Sequence, residues 1–161
     1  MKKKEKKQTC FLRAAMMVLT TILIVLFFAI MSMVGKIQGT ARVINYAGLV
    51  RGGTQQMVKL EISGTPQDKM YQTTSSYIEG LRNGSDELNF IRLDDQKFQS
   101  KMDELAGYFE ELRDEILLVR EKGYENTDII EKSERFFQIC DEAVGLSEEY
   151  SQRKATALDY I

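Results

Sequence analysis

Residues 14–34, AAMMVLTTILIVLFFAIMSMV, form a run of 21 residues without a charged side chain. As an α-helix such a run is about 31 Å long, the hydrocarbon thickness of a bilayer, and a segment inside lipid has to satisfy its backbone internally. The run predicts a transmembrane helix. Residues 1–13 hold six Lys and Arg against one acid, a balance that stays in the cytoplasm, whereas residues 35–161 hold sixteen against twenty-three. The expected localisation is therefore the cell membrane, single-pass over this chain, with a basic cytoplasmic N-terminus at 1–13 and an extracytoplasmic domain at 35–161. A cleaved signal peptide with Gly39-Thr40-Ala41 as its small-residue site competes with this reading. Against it, the apolar run exceeds the usual length of about 7–15 residues and helical periodicity continues through 39–41. An uncleaved anchor is the expectation.

The chain has no histidine and two cysteines. That removes an imidazole base, Ser/His/Asp and Cys/His nucleophile systems, His-ligated zinc and thiolate metal cages, and also a phospho-accepting histidine. Acidic neighbours such as Glu110-Glu111 and Glu148-Glu149 point in different directions on a helix and read as solvated surface. No enzyme, cofactor, metal site or nucleic-acid partner is expected. In the membrane topology above, Cys10 and Cys140 lie on opposite sides and cannot pair. Cys10 is then acylated or simply unmodified, and Cys140 reads as a small core residue.

Outside the membrane the periodicity is helical in four stretches, and no run alternates with period two. In the third, Phe98, Met102, Leu105, Phe109, Leu112, Ile116 and Val119 follow 4-3-4-3-4-3 spacing, a seam sustained for three heptads. It predicts a helix over about 95–122, with Asp94 or Asp95 as N-cap and Gly123 as the stop. The fourth, about 127–161, uses Ile130, Phe137, Cys140, Val144, Leu158 and Ile161 in a similar register. The second opens on Thr65 as N-cap, Pro66 at the first helical position and Asp68 as a variant capping box, with Met70, Thr74, Tyr77 and Leu81 as its inner face. It breaks at residues 83–86, NGSD, where Asn83-Gly84-Ser85 reads either as a turn or as a glycosylation sequon. Leu88, Phe90, Ile91 and Leu93 then cover one end of the core. The expected fold class is all-α: an N-terminal transmembrane helix continuing into an extracytoplasmic up-down-up-down four-helix bundle. Its fourth helix returns to the membrane. By that geometry a second transmembrane helix and an output domain are expected to follow.

The first outer helix breaks a rule of helix composition. Three glycines, Gly48, Gly52 and Gly53, fall in a helical pattern where each costs about 1 kcal/mol relative to alanine. Residues 37, 41, 44, 48, 51, 55, 58 and 62 keep heptad spacing, which places Arg51 and Gln55 among apolar layers. Val43, Ala47, Val50 and Met57 form a second stripe. Two apolar faces imply two packing partners, the protomer's own core and the same helix of a second subunit. At a two-fold interface Arg51 meets its own copy, and a small anion such as nitrate or a carboxylate would neutralise both guanidiniums. The plainer reading leaves Arg51 reaching solvent or paired with a glutamate of another helix.

Residues 44–60, INYAGLVRGGTQQMVKL, resemble the segment just after the first membrane helix in the periplasmic sensor domain of nitrate/nitrite sensor histidine kinases. They also resemble the related N-terminal domain of type IV pili methyl-accepting chemotaxis transducers. The pattern Ile-Asn-x-Ala-Gly-x-x-Arg is matched by Ile44, Asn45, Ala47, Gly48 and Arg51. The chain departs from it at Tyr46, where the nitrate sensors carry a basic residue, and at Gly52-Gly53. The resemblance implies a homodimer through the first helix, with Arg51 contacting an anion and Gly48 allowing close approach; Asn45 and Gln55 complete the candidate ligand-binding set. The implied function is the ligand-sensing region of a dimeric transmembrane signalling receptor, as in two-component systems. The alternative is a membrane-anchored helical scaffold or interaction module without a small-molecule ligand.

Overall fold

A computed structural model of the chain describes residues 2–158; the side chains of residues 2–10, 36, 157 and 158 are outside the description. The expectations that rest on the side chains of Cys10, Leu158 and Ile161 therefore lie outside the described residues. Four helices run in the order α1 (Lys2–Ile62), α2 (Asp68–Asn83), α3 (Gln96–Lys122) and α4 (Ile129–Leu158), with a short 3-10 turn at Tyr124–Asn126. The described residues contain no strand, only an isolated bridge between Ser85 and Phe90. The all-α expectation holds.

Contacts divide the chain into two units, Met1–Ile37 and Gln38–Ile161. In the first, every described side chain is exposed within the chain, including Leu19, Ile24 and Phe28. By length and composition this part of α1 suits a membrane crossing.

The second unit is built around α3. All seven side chains of its predicted seam are buried, with Phe98, Met102 and Leu112 at zero exposure. Burying each contributes about 1.5–3 kcal/mol. The helix starts where Asp95 accepts a hydrogen bond from the Phe98 amide at 2.9 Å, and it stops at Gly123, whose φ is +78°. Around α3 pack Val43, Ala47, Val50 and Met57 of α1, Ile78 and Leu81 of α2, Phe90 and Leu93 of the loop, and Ile129, Phe136, Ile139, Cys140 and Ala143 of α4. Ion pairs between helix ends give the helix directions. Glu61 at the end of α1 meets Arg120 at the end of α3, so those two helices run parallel. Arg82 at the end of α2 meets Asp103 near the start of α3, and Arg153 of α4 meets Asp95, so α2 and α4 run against α3.

Three expectations need correction. α2 begins at Asp68 with Gln67 as N-cap and no side-chain cap bond. The Thr65 amide instead donates to the Leu60 carbonyl at 2.9 Å, so Thr65 closes the end of α1 rather than opening α2. In α4 the core register sits one residue earlier than expected at two places. Ile130 is 57% exposed and Phe137 38%, whereas Ile129 and Phe136 are buried at 0% and 1%. Each pair is an apolar doublet, and either member satisfies the spacing; packing against α3 selects one. In α1 the second stripe faces the core, while Ile37, Ala41 and Gln55 of the heptad stripe are exposed. Val58 alone of that stripe is buried.

The turn between α3 and α4 is clasped by Glu115, a buried carboxylate. Its Oε1 accepts the Asp128 amide at 2.8 Å and its Oε2 accepts from Lys132 Nζ at 2.6 Å. The bond from Lys132 holds the Glu115 carboxyl below its ordinary pKa of 4.5, with burial opposing and the Asp128 amide assisting.

Phe136→Ala should destabilise the fold by about 3–5 kcal/mol and Phe137→Ala by less than about 1 kcal/mol, read by urea unfolding of the detergent-solubilised chain. Equal losses would contradict the α4 register. A depressed folded-state pKa gives stability that is present above the unfolded value and lost as pH falls through the folded one. Glu115→Gln should therefore be less stable than the native chain at neutral pH, and the difference should shrink below pH 4.5. A pH-independent difference in thermal midpoint between pH 7 and pH 3 would show that the carboxylate charge is not involved.

Candidate functional site

The four candidate residues Asn45, Gly48, Arg51 and Gln55 are spaced three, three and four apart on α1 and so share one side of it. Asn45 and Gln55 are exposed, and Gly48 and Arg51 are half-buried. The described hydrogen bonds bring neither Asn45 nor Gln55 to Arg51. They bring Asp141 of α4 instead. Arg51 Nη1 donates to Asp141 Oδ1, and the guanidinium lies over the Phe137 ring, 5.2 Å from its centroid. The Arg51 side chain is 35% exposed and that of Asp141 61%. Among the described residues the guanidinium makes this one side-chain hydrogen bond, although its fork carries five N–H donors. The plainer expectation named a glutamate; the structure places an aspartate there.

Asp141 is not marked by any pattern in the sequence, and spacing places Phe137 in the core rather than beside Arg51. With that doublet resolved outward, Asp141 follows one turn later on the same side of α4. Next to them, burial pushes the Cys140 thiol up to about 12, with the Arg51 charge opposing and the Asp141 charge reinforcing the shift. Such a thiol is inert.

The α1 glycines differ in what they are for. A Cβ at Gly39 would fall 2.8 Å from Ile91 Cγ2, so a larger residue there would have to displace the Ile91 side chain. At Gly48 and Gly52 an added Cβ would meet nothing within 4 Å, and at Gly53 it would sit in ordinary contact, 3.5 Å from Thr74 Oγ1. These three glycines form one wall of an open groove whose other wall is Met70, Thr73 and Tyr77 of α2. Nothing among the described residues explains glycine at positions 48 and 52. Tyr46, at the pattern's departure point, packs edge-on against Tyr77 and Phe90 at 4.9 and 4.6 Å between ring centroids. It belongs to the core margin, and its ring joins α1 to α2 and the loop.

A second charged cluster lies at the α1–α2 turn. Arg120 donates to both oxygens of buried Glu61, at 3.0 and 2.5 Å, and to Asp68 at 2.6 Å; these bonds push its pKa up. One guanidinium there faces two carboxylates, so the cluster offers no spare cation to an anionic ligand. Among the described residues no group of three or more Asp, Glu or Cys side chains is placed to hold a metal ion.

No protein-family model matches this sequence, and no curated protein matches it. Among solved structures, the chain is similar to the ligand-binding domain of the P. aeruginosa nitrate receptor McpN. The TM-score is 0.58 at 17% sequence identity, over 67% of this chain and 94% of that one. The likeness establishes a shared fold.

Because Gly48 and Gly52 have open space at Cβ, Gly48→Ala and Gly52→Ala should each raise the stability of the folded protomer by about 0.4–1 kcal/mol through helix propensity and a less flexible unfolded chain. Denaturant midpoints measured under monomeric conditions check this; a loss at either site would mean that the glycine is needed inside the protomer.

Proposed function

We propose that residues 35–161 are the extracytoplasmic ligand-sensing domain of a dimeric transmembrane receptor, and that Arg51 binds a small anion where α1 meets its two-fold mate. The observation that carries this reading is the half-exposed Arg51 guanidinium, largely uncommitted, on a side of α1 where Ile37, Ala41 and Gln55 have no cover. Gly48 and Gly52, which packing inside the protomer does not require, suit a second helix at close range. The fold shared with a nitrate receptor's ligand-binding domain supports the same class of function.

In this reading the anion bridges Arg51 and its mate and relieves the repulsion between the two charges. It would favour one packing of the α1 pair over another. A shift of about 1–2 Å along or around α1 would be passed to the apolar run of the same helix. Output through a kinase, a chemotaxis module or a cyclase would follow from a downstream domain. The rival is specific: Arg51 already has a carboxylate in Asp141, and a pair of that kind needs no ligand.

Titration calorimetry on the full chain in detergent separates the two, with sodium nitrate and sodium acetate as probes. A charge-assisted hydrogen bond is worth about 1.5–3 kcal/mol, so Arg51→Ala should weaken anion binding roughly tenfold to hundredfold. Arg51→Lys should bind more weakly than the native chain because an ammonium lacks the planar fork. Binding that is unaltered in Arg51→Ala would remove Arg51 from the site. The interface is tested separately: Gln55→Cys, in a Cys10→Ser background, should form a disulfide-linked dimer under mild oxidation. Failure to cross-link, with Glu134→Cys on α4 equally inert, would count against the α1 pair.

A further inference from the structure

We infer that Asp141 is a built-in competitor for the Arg51 anion site, so that ligand binding is read out as release of α4 from α1. This inference rests on the anion-sensing reading of Arg51. It starts from the atom that an incoming anion needs. Arg51 Nη1 is engaged by Asp141 Oδ1, and a carboxylate oxygen is chemically the same partner that a nitrate or carboxylate ligand offers.

The geometry suits exchange rather than permanent bonding. With Arg51 35% and Asp141 61% exposed, the pair is solvated, and pairs of that kind contribute about 0.2–1 kcal/mol. An anion that satisfies more of the fork can outbid a single contact of that strength. The same guanidinium lies over the Phe137 ring of α4, 5.2 Å from its centroid, so both α4 contacts of Arg51 converge on the group that the anion would take. The Arg51–Asp141 pair is the one ion pair described between α1 and α4, beside the Arg51–Phe137 contact. An anion on α1 therefore changes what holds α4, and the ligand's differential affinity for the two arrangements is the work available to move it.

Variants of the full chain in lipid nanodiscs test this, the first two titrated with sodium nitrate by calorimetry. Asp141→Asn, which keeps shape and removes charge, should bind nitrate roughly two- to fivefold more tightly, the factor that corresponds to a solvated ion pair. Asp103→Asn removes the same charge from the solvated Arg82–Asp103 pair and should leave nitrate affinity unchanged. Spin labels at Lys59→Cys and Gln138→Cys, in a Cys10→Ser background, should show an α1–α4 separation that widens with nitrate and is already widened in nitrate-free Asp141→Asn. Equal nitrate affinity in the native chain and Asp141→Asn would overturn the competition while leaving the anion site standing. Equal gains in Asp141→Asn and Asp103→Asn would assign the effect to overall charge and overturn it too. Nitrate binding by none of the chains would remove the anion reading, and this inference with it.

Discussion

Seven apolar side chains along α3, from Phe98 to Val119, are the surface that the rest of the outer unit has to cover. A seam of that length needs partners on more than one side, and no single helix conceals it. α2 and α4 run against it and α1 runs with it, each giving one apolar stripe. The connections are short and are fixed by local chemistry: Asp95 caps the start of α3, Gly123 ends it, and Glu115 reaches across to hold the first turn of α4. Burial of the α3 seam orients everything else, because it decides which stripe of every other helix turns inward.

For α1 that decision sets which residues are left near the surface. Val43, Ala47, Val50 and Met57 are taken by the core, and the neighbouring heptad stripe with Gly48, Arg51 and Gln55 is left at the margin. Arg51 is thereby held between a packed interior on one side and water on the other. There an ion pair is weak and a guanidinium keeps most of its donors available. Gly48 of that stripe and Gly52 beside it cost helix stability, and an added Cβ at either would meet nothing within 4 Å.

Much of the fold was legible before any coordinates. The α3 seam and its Gly123 stop agree with expectation residue by residue, because a single sustained heptad pattern leaves one inward face; of the two expected caps, Asp94 and Asp95, the structure selects Asp95. Where the pattern is degenerate, reading failed. Ile129-Ile130 and Phe136-Phe137 are doublets whose members differ by about 100° around the helix, and spacing alone admits either. Thr65-Pro66 looks like a helix opening, yet the Thr65 amide finds the Leu60 carbonyl first. Of the candidate site, Arg51 and the α1 glycines were visible as violations of helix composition. Asp141 was not visible, since its meeting with Arg51 spans 90 positions in the chain and depends on the rotation of two helices.

The sequence by itself determined the apolar run at 14–34, the helical class of everything after it, and the presence of two apolar stripes on α1. These follow from composition and period, which act over one or two turns of chain. Only the tertiary structure decided which stripe of α1 is buried, which phenylalanine of α4 enters the core, and which acid Arg51 meets. Those choices are made by packing four helices at once around the α3 seam, and the energy that separates the alternatives lies in contacts between residues far apart in the chain.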